Sequence, residues 1–136
     1  MAVTVSNTTK QRASTALISR AVEAALADRR RGGDVAVVLV GTARMRTLNR
    51  TYRGKDKPTD VLSFAESESE HGERGFLGEL FIALDVIKKQ AKEFAPSWQW
   101  ELAFIVIHGT LHLLGYEDET EAGAQRMETL GHKIIQ

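Results

Sequence analysis

Hydrophobic positions change their period several times along this chain, and each change marks an element. Leu17, Ile18, Ala21, Val22, Ala25 and Leu26 recur at helical spacing behind Ser14 and Thr15, two residues suited to capping, so residues 15–30 read as an amphipathic helix. A short strand at Val3–Val5 precedes it, and the two glycines of "RRRGGD" are its stop signal. "VAVVLVG" at 35–41 is brief, apolar and β-branched, as a buried strand requires. Thr42 then caps a second helix whose apolar positions are Met45, Leu48 and Tyr52. "GKDKPTD" is a loop, "VLSFA" at 61–65 alternates like a strand, and "FLGELFIAL" supplies a further strand. The stretch between those strands, "ESESEHGERG", is charged and aperiodic and reads as a hairpin connection or flap. Asp85 caps a helix through Phe94, and Pro96 with Ser97 restarts the chain. Residues 98–114 form the most apolar helix, and a last helix runs from near Thr120 to Ile135. With no repeat and no linker, the pattern predicts one domain over residues 1–136. Its class is α+β, a small mixed sheet with helices packed against it.

Composition narrows the chemistry. The 136 residues are 43% hydrophobic and 26% charged, ordinary values for a soluble domain able to bury a core. There is no cysteine, which removes disulfides, thiolate metal sites and thiol nucleophiles together. No leader-like apolar stretch opens the chain, and no apolar run approaches the ~20 residues of a membrane span, so the expectation is a cytoplasmic protein. Net neutrality hides a division. Residues 1–60 carry 12 Lys and Arg against 5 Asp and Glu, whereas residues 61–136 carry 6 against 13. Basic residues are densest from Arg44 to Lys57, where six cations face only Asp56. Such a stretch suits a phosphate backbone, although a solvated helix face has the same composition.

The chemistry concentrates in "HGTLHLLGYED", residues 108–118. Residues four apart on a helix differ by ~40° around its axis, so His108 and His112 can address one ion from one face. Gly115 lets the chain reverse just beyond them, which brings a carboxylate within reach: Asp118, flanked by Glu117 and Glu119. Two imidazoles and one carboxylate leave a coordination position open, as catalytic rather than structural sites do. Two core histidines satisfied by the backbone are the alternative. Zincin proteases place a glutamate directly after the first histidine, and Gly109 stands there instead.

The segment resembles the signature HGxLHLxGYDH of the YbeY family of bacterial metal-dependent endoribonucleases. "LNRTYRGKDKPTDVLSF" at 48–64 is similar to that family's LNxxYRGKDxPTDVLSF, and "FLGELFIALDVIKKQAKEF" occupies the place of its glycine-acidic strand and following helix. The resemblance implies an α+β fold with the metal site on a central apolar helix. It also implies one divalent ion, Zn2+ or Mn2+, cleavage of single-stranded RNA, and work in rRNA maturation and ribosome quality control alongside the ribosome or its associated proteins. It implies His108 and His112 as metal ligands. At the family's third histidine this chain has Asp118, which leaves three readings: Asp118 ligates, Glu117 or Glu119 substitutes, or the site binds metal weakly. His71 and His132 match no ligand position. Arg53 matches the arginine of the family's YRGK stretch and is the candidate for meeting charge on the reacting phosphate; pairing with Asp60 is its structural alternative. Lys55 and Lys57 would track the RNA backbone, and Tyr52 and Tyr116 would either stack on bases or pack in the core. Two rival functions remain: a non-catalytic RNA-binding module of the ribosome with a weakened metal site, and a metal-dependent hydrolase of another substrate class.

Overall fold

The computed structural model describes residues 2–66 and 75–136. The expected flap, with His71, falls mainly outside the described residues. Strand β1 (Val3–Asn7), helix α1 (Thr15–Asp28), strand β2 (Asp34–Val40) and helix α2 (Thr42–Arg53) come first. Strands β3 (Val61–Ala65) and β4 (Phe76–Ala83) follow, then helices α3 (Leu84–Phe94), α4 (Trp98–Leu113) and α5 (Glu121–Ile135). The sheet order is β1-β2-β4-β3, with β1, β2 and β4 parallel and β3 antiparallel to β4. This is the mixed α+β architecture that the hydrophobic pattern predicts.

Alternation along the strands sorts the core into two layers. Val35, Val37 and Leu39 of β2, with Leu80 and Ile82 of β4, join the larger cluster with α1, α4 and α5. Val40, Leu62 and Ala83 point the other way and meet Met45 of α2, with Val38, Leu48, Phe64 and Phe81 packed around them. Helix α4 is therefore held on one face of the sheet and α2 on the other. At Gly109 a Cβ would lie 3.0 Å from a Leu80 methyl and 3.2 Å from a Val61 methyl, so glycine is what lets α4 settle this close to β3 and β4. Position 109 thus faces the sheet and not the solvent.

Several local expectations are corrected. Helix α1 ends at Asp28, before the glycines: Arg30 takes the left-handed conformation (φ 54°) and the Arg31 amide returns to the Leu26 carbonyl at 2.9 Å. Capping by Ser14 holds, since its side chain accepts from the Leu17 amide. Thr42 does not cap α2; Gly41 occupies that position and the Thr42 hydroxyl donates to Asp85. Asp85 is not the cap of α3 either. Ala83 is, and Asp85 sits in the first turn, accepting from Gln11 and Thr42 and lying favourably at the positive end of the helix. Tyr52 leaves the predicted apolar face and is 60% exposed. The interior position near it goes to Asn49, 3% exposed, whose amide donates to the Lys57 carbonyl at 2.8 Å and ties α2 to the following loop.

A non-glycine residue in the left-handed region costs roughly 1–2 kcal/mol, partly offset in a glycine by its greater unfolded-state freedom. Arg30→Gly should therefore raise stability by about 1 kcal/mol. Denaturant titration checks it; a loss of stability would mean that the Arg30 side chain, not the turn, sets the balance.

Candidate metal and phosphate site

Helix α4 begins at Ser97, whose side chain accepts from the Trp100 amide, and runs to Leu113. Its end is shaped to return the chain. The Gly115 amide bonds the His112 carbonyl at 3.0 Å and the Tyr116 amide bonds Leu111 at 3.1 Å, while Gly115 itself adopts φ 100°. A side chain is rare at that φ, so the reversal needs glycine. The reversed loop brings two groups back to α4. The Tyr116 carbonyl lies 2.9 Å from His112 Nδ1, and Asp118 Oδ2 lies 3.4 Å from His108 Nε2 and 3.5 Å from His112 Nε2. Thr120, capping α5 through the Gly123 amide, fixes the far end of the loop.

The two Nε2 atoms are 3.2 Å apart. A tetrahedral ligand set with bonds of about 2.0–2.1 Å places its donors ~3.3 Å from one another. The edges here, 3.2, 3.4 and 3.5 Å, match that spacing. The Tyr116 carbonyl can only accept, so Nδ1 of His112 carries the proton and Nε2 of the neutral ring presents a bare lone pair to the triangle. A second acceptor, the Asp118 carboxylate, faces the same point. Such a convergence of acceptors is relieved by a proton or a cation between them, and the donor set suits a divalent ion of the zinc kind. Among the described residues, His108, His112 and Asp118 form the one such group able to hold a metal ion. Glu117 and Glu119 line the same cavity but do not belong to that group. His132 is exposed on α5, beside Glu128 and the Phe104 ring, and takes no part.

The triad opens into a cavity of about 910 Å3. Arg53, Lys55 and Lys57 line it from the basic half of the chain, and His108, His112 and Asp118 from the acidic half. Arg53 makes no ion pair among the described residues, so the alternative of pairing with Asp60 is not what the fold adopts. Its Nη2 donates to the Ser63 carbonyl at 2.7 Å and its guanidinium lies 4.8 Å from the Phe64 ring centroid. Ser63 in turn donates its hydroxyl to the Gly109 carbonyl at 3.2 Å, linking the arginine to the histidine helix. The rest of the basic stretch is less free than its composition suggests. Asp56 takes a two-point ion pair from Arg46 (2.9 and 3.1 Å) and a longer one from Arg50 (3.6 Å). The Arg46 hydrogen bond also holds the Asp56 carboxyl below its usual range.

Sequence reading gave Asp60 only as a partner for Arg53 and missed Gln90, although both line the cavity, and it missed Glu101, to which Gln90 donates. Gln90 Nε2 donates to Asp60 at 3.0 Å and to Glu101 at 3.4 Å, and burial raises the Glu101 pKa. Position in "KPTDV" was the one available signal for Asp60; no local pattern marks Gln90. Of the two tyrosines, Tyr116 packs against the main core while Tyr52 stays in solvent, edge-on to Phe64 at 5.4 Å.

The fold and its histidine–carboxylate triangle define a small α+β protein with an open-faced site of metal-ligating geometry. Comparison with known proteins gives the family. The chain belongs to the endoribonuclease YbeY family, whose model matches residues 3–136. It is 45% identical over 112 residues to the endoribonuclease YbeY of Geobacillus thermodenitrificans, covering 76% of this chain and 72% of that relative. The Moorella thermoacetica endoribonuclease YbeY is 41% identical over 128 residues, covering 87% and 82%. A solution structure of a Thermotoga maritima protein superposes with a TM-score of 0.65 at 26% identity, over 98% of this chain and 86% of that one.

Burial pushes the His108 pKa below the ordinary 6.5, with the neighbouring His112 acting in the same direction and Asp118 opposing it. The unfolded chain therefore takes up its proton first. In the metal-free protein, the stability linked to His108 should be level above about pH 6.5 and fall as pH drops from there toward the lowered value. Nitrogen-detected NMR titration should find His108 titrating below 6.5 and His112 protonated on Nδ1. A His108 midpoint above 6.5, or an Nε2-protonated His112, would contradict this geometry.

Proposed function

We propose that this protein is a metal-dependent, single-strand-specific endoribonuclease that acts in rRNA maturation and ribosome quality control. The observation that carries the reading is the donor triangle of His108, His112 and Asp118 opening into a cavity whose other wall holds Arg53, Lys55 and Lys57. Family membership supports the RNA substrate, and on this reading the partners would be the ribosome or its associated proteins, in the cytoplasm. Among the described residues no helix is long and apolar enough to cross a membrane, and nothing in the site calls for one.

His108, His112 and Asp118 would hold one divalent ion, with Zn2+ favoured by the two imidazoles and Mn2+ admitted by the carboxylate. Such an ion lowers the pKa of a water it binds and polarises a phosphoryl oxygen. The chain's own residues do the rest. Tyr116 keeps the His112 ring turned with Nε2 inward, through its carbonyl on Nδ1. Burial keeps His108 neutral, the form that ligates. Arg53 meets the negative charge that gathers on the phosphate, its fork steadied by the Ser63 carbonyl and the Phe64 ring. Lys55 and Lys57, exposed and with no ion pair among the described residues, attract the flanking backbone without reading bases. Position 109 packs on the sheet, so it offers no place for a zincin-type base, and a peptide substrate is disfavoured.

Elemental analysis should find one divalent ion per chain, with Asp118→Ala weakening retention and His108→Ala weakening it more. The same preparations should cut labelled single-stranded RNA in proportion to metal content. Full metal occupancy in Asp118→Ala would remove that residue from the ligand set, and metal-loaded protein inert on RNA would sink the nuclease reading. Arg53→Lys keeps the charge and loses the two-point fork, so cleavage should fall roughly 10²-fold with little change in melting temperature. Unfolding, or undiminished cleavage, would each count against the assigned role.

A further inference from the structure

Beyond the triad cavity, the loop after α4 borders a second hollow of about 420 Å3. Three arginines from two segments converge on it: Arg29 and Arg31 in the turn that closes α1, and Arg126 of α5. Tyr116 stands between two of them, with the Arg29 and Arg126 guanidinium carbons 5.6 and 5.3 Å from its ring centroid. Charge in the hollow is poorly compensated. Arg29 Nη1 pairs with Asp28 at 3.2 Å, but Asp28 is also shared with Lys133 at 3.3 Å. Arg29 Nε is sealed from solvent without an acceptor among the described residues. Arg31 and Arg126 form no ion pair there, and Glu117 is the one acidic residue lining the hollow. The chain also holds Arg30 in the left-handed region between two of these residues, a local strain of the sort that collects at binding sites.

We propose that this hollow is a second phosphate-binding site, and that it takes a backbone phosphate of the same RNA strand that enters the triad cavity. The inference rests on the endoribonuclease reading and extends it. Guanidinium forks bind phosphate oxygens two at a time, and the Tyr116 ring lies beside two of them. A single phosphate with its sugar fits the available volume. Continuity favours a strand over a free anion. Glu117 lines both hollows, with Gly115 and Tyr116 on one flank and Asp118 and Glu119 on the other. The hollow of the three arginines thus adjoins the cavity that holds the triad with Arg53, Lys55 and Lys57. A polyanion lying across both meets cations in each.

The test is the double variant Arg31→Gln/Arg126→Gln, which spares Arg29 and its ion pair. Binding to a labelled single-stranded RNA is read by anisotropy before cleavage sets in, over a range of salt, beside kcat, melting temperature and competition by inorganic phosphate. The variant should melt as the wild type does, bind RNA roughly tenfold more weakly, and show a salt slope shallower by about 0.7, the loss of one phosphate contact on a single strand. Its kcat at saturating RNA should be unchanged, and inorganic phosphate should compete with RNA better in the wild type than in the variant. Unchanged affinity and slope would overturn the site. Loss of inorganic phosphate binding with RNA binding intact would also overturn it, by assigning the hollow to a free anion. The two readings fail separately. Wild-type protein that binds RNA without cutting it removes the nuclease activity, while the variant's binding still decides the hollow. Wild-type protein that cuts RNA beside an unaffected variant removes the hollow alone.

Discussion

Helix α4 is apolar around most of its circumference, and everything at the site depends on how near it can come to the sheet. Leu102, Val106, Ile107, Leu111 and Leu113 are all buried, so the helix is enclosed rather than laid on a surface. The lack of a Cβ at position 109 gives the helix axis room to settle against Leu80 and Val61, whose methyls a Cβ would meet at 3.0 and 3.2 Å. That seating has a polar consequence. With Gly109 against the sheet, its carbonyl accepts from Ser63 of β3, and the Ser63 carbonyl accepts from Arg53. The same close approach that fills the core thus sets the arginine's position relative to the helix that carries both histidines. A bulkier residue at 109 would disturb packing and chemistry at once.

The charge division along the chain becomes spatial order at this point. Cations from the first half and the His108–His112–Asp118 group from the second half share one cavity, in a molecule whose formal charge of zero leaves no net charge to attract a polyanion from afar. Recognition of a polyanion must then be local. Asp56 strengthens that conclusion, because it ties up Arg46 and Arg50 and leaves Arg53, Lys55 and Lys57 as the part of the basic stretch that reaches the cavity. Counting charges overstates the patch; the ion-pair geometry trims it.

Much of this was legible in the sequence because it depends on period and spacing. Strands β2, β3 and β4 and helices α1 and α4 follow directly from alternation or helical recurrence of apolar residues, and the four-residue separation of His108 and His112 fixes their common face. What escaped depends on tertiary partners. Thr42 and Asp85 look like caps in isolation, yet they bond to each other across two helices and leave capping to Gly41 and Ala83. Arg30 closes α1 although two glycines follow it, and Gly33 is used instead for a close approach: a Cβ there would fall 2.6 Å from Leu77 Cγ. Asn49 takes an inward place that a residue at its spacing would normally fill with carbon, and Tyr52 is displaced to solvent. Gln90 joins Asp60 to Glu101 across elements that no local window contains.

Asp118 is where the resemblance and this chain part, and the surrounding structure brings this shorter, charged side chain to the two imidazoles. Being in the loop, it approaches the imidazoles from outside α4 and is 41% exposed at its side chain, against 24% and 22% for His108 and His112. Exposure spares the carboxylate a buried-charge penalty, while burial favours the neutral, donor form of the His108 ring. Two neutral nitrogens and one carboxylate carry a charge of −1, so a divalent ion among them would leave a net charge of +1. Three imidazoles would leave +2. A site with less positive charge draws a phosphate less strongly by itself, which shifts more of the substrate's attraction onto fixed cations at the cavity wall. Arg53, Lys55 and Lys57 stand along that wall where they would supply this compensation, on elements independent of the loop that holds Asp118.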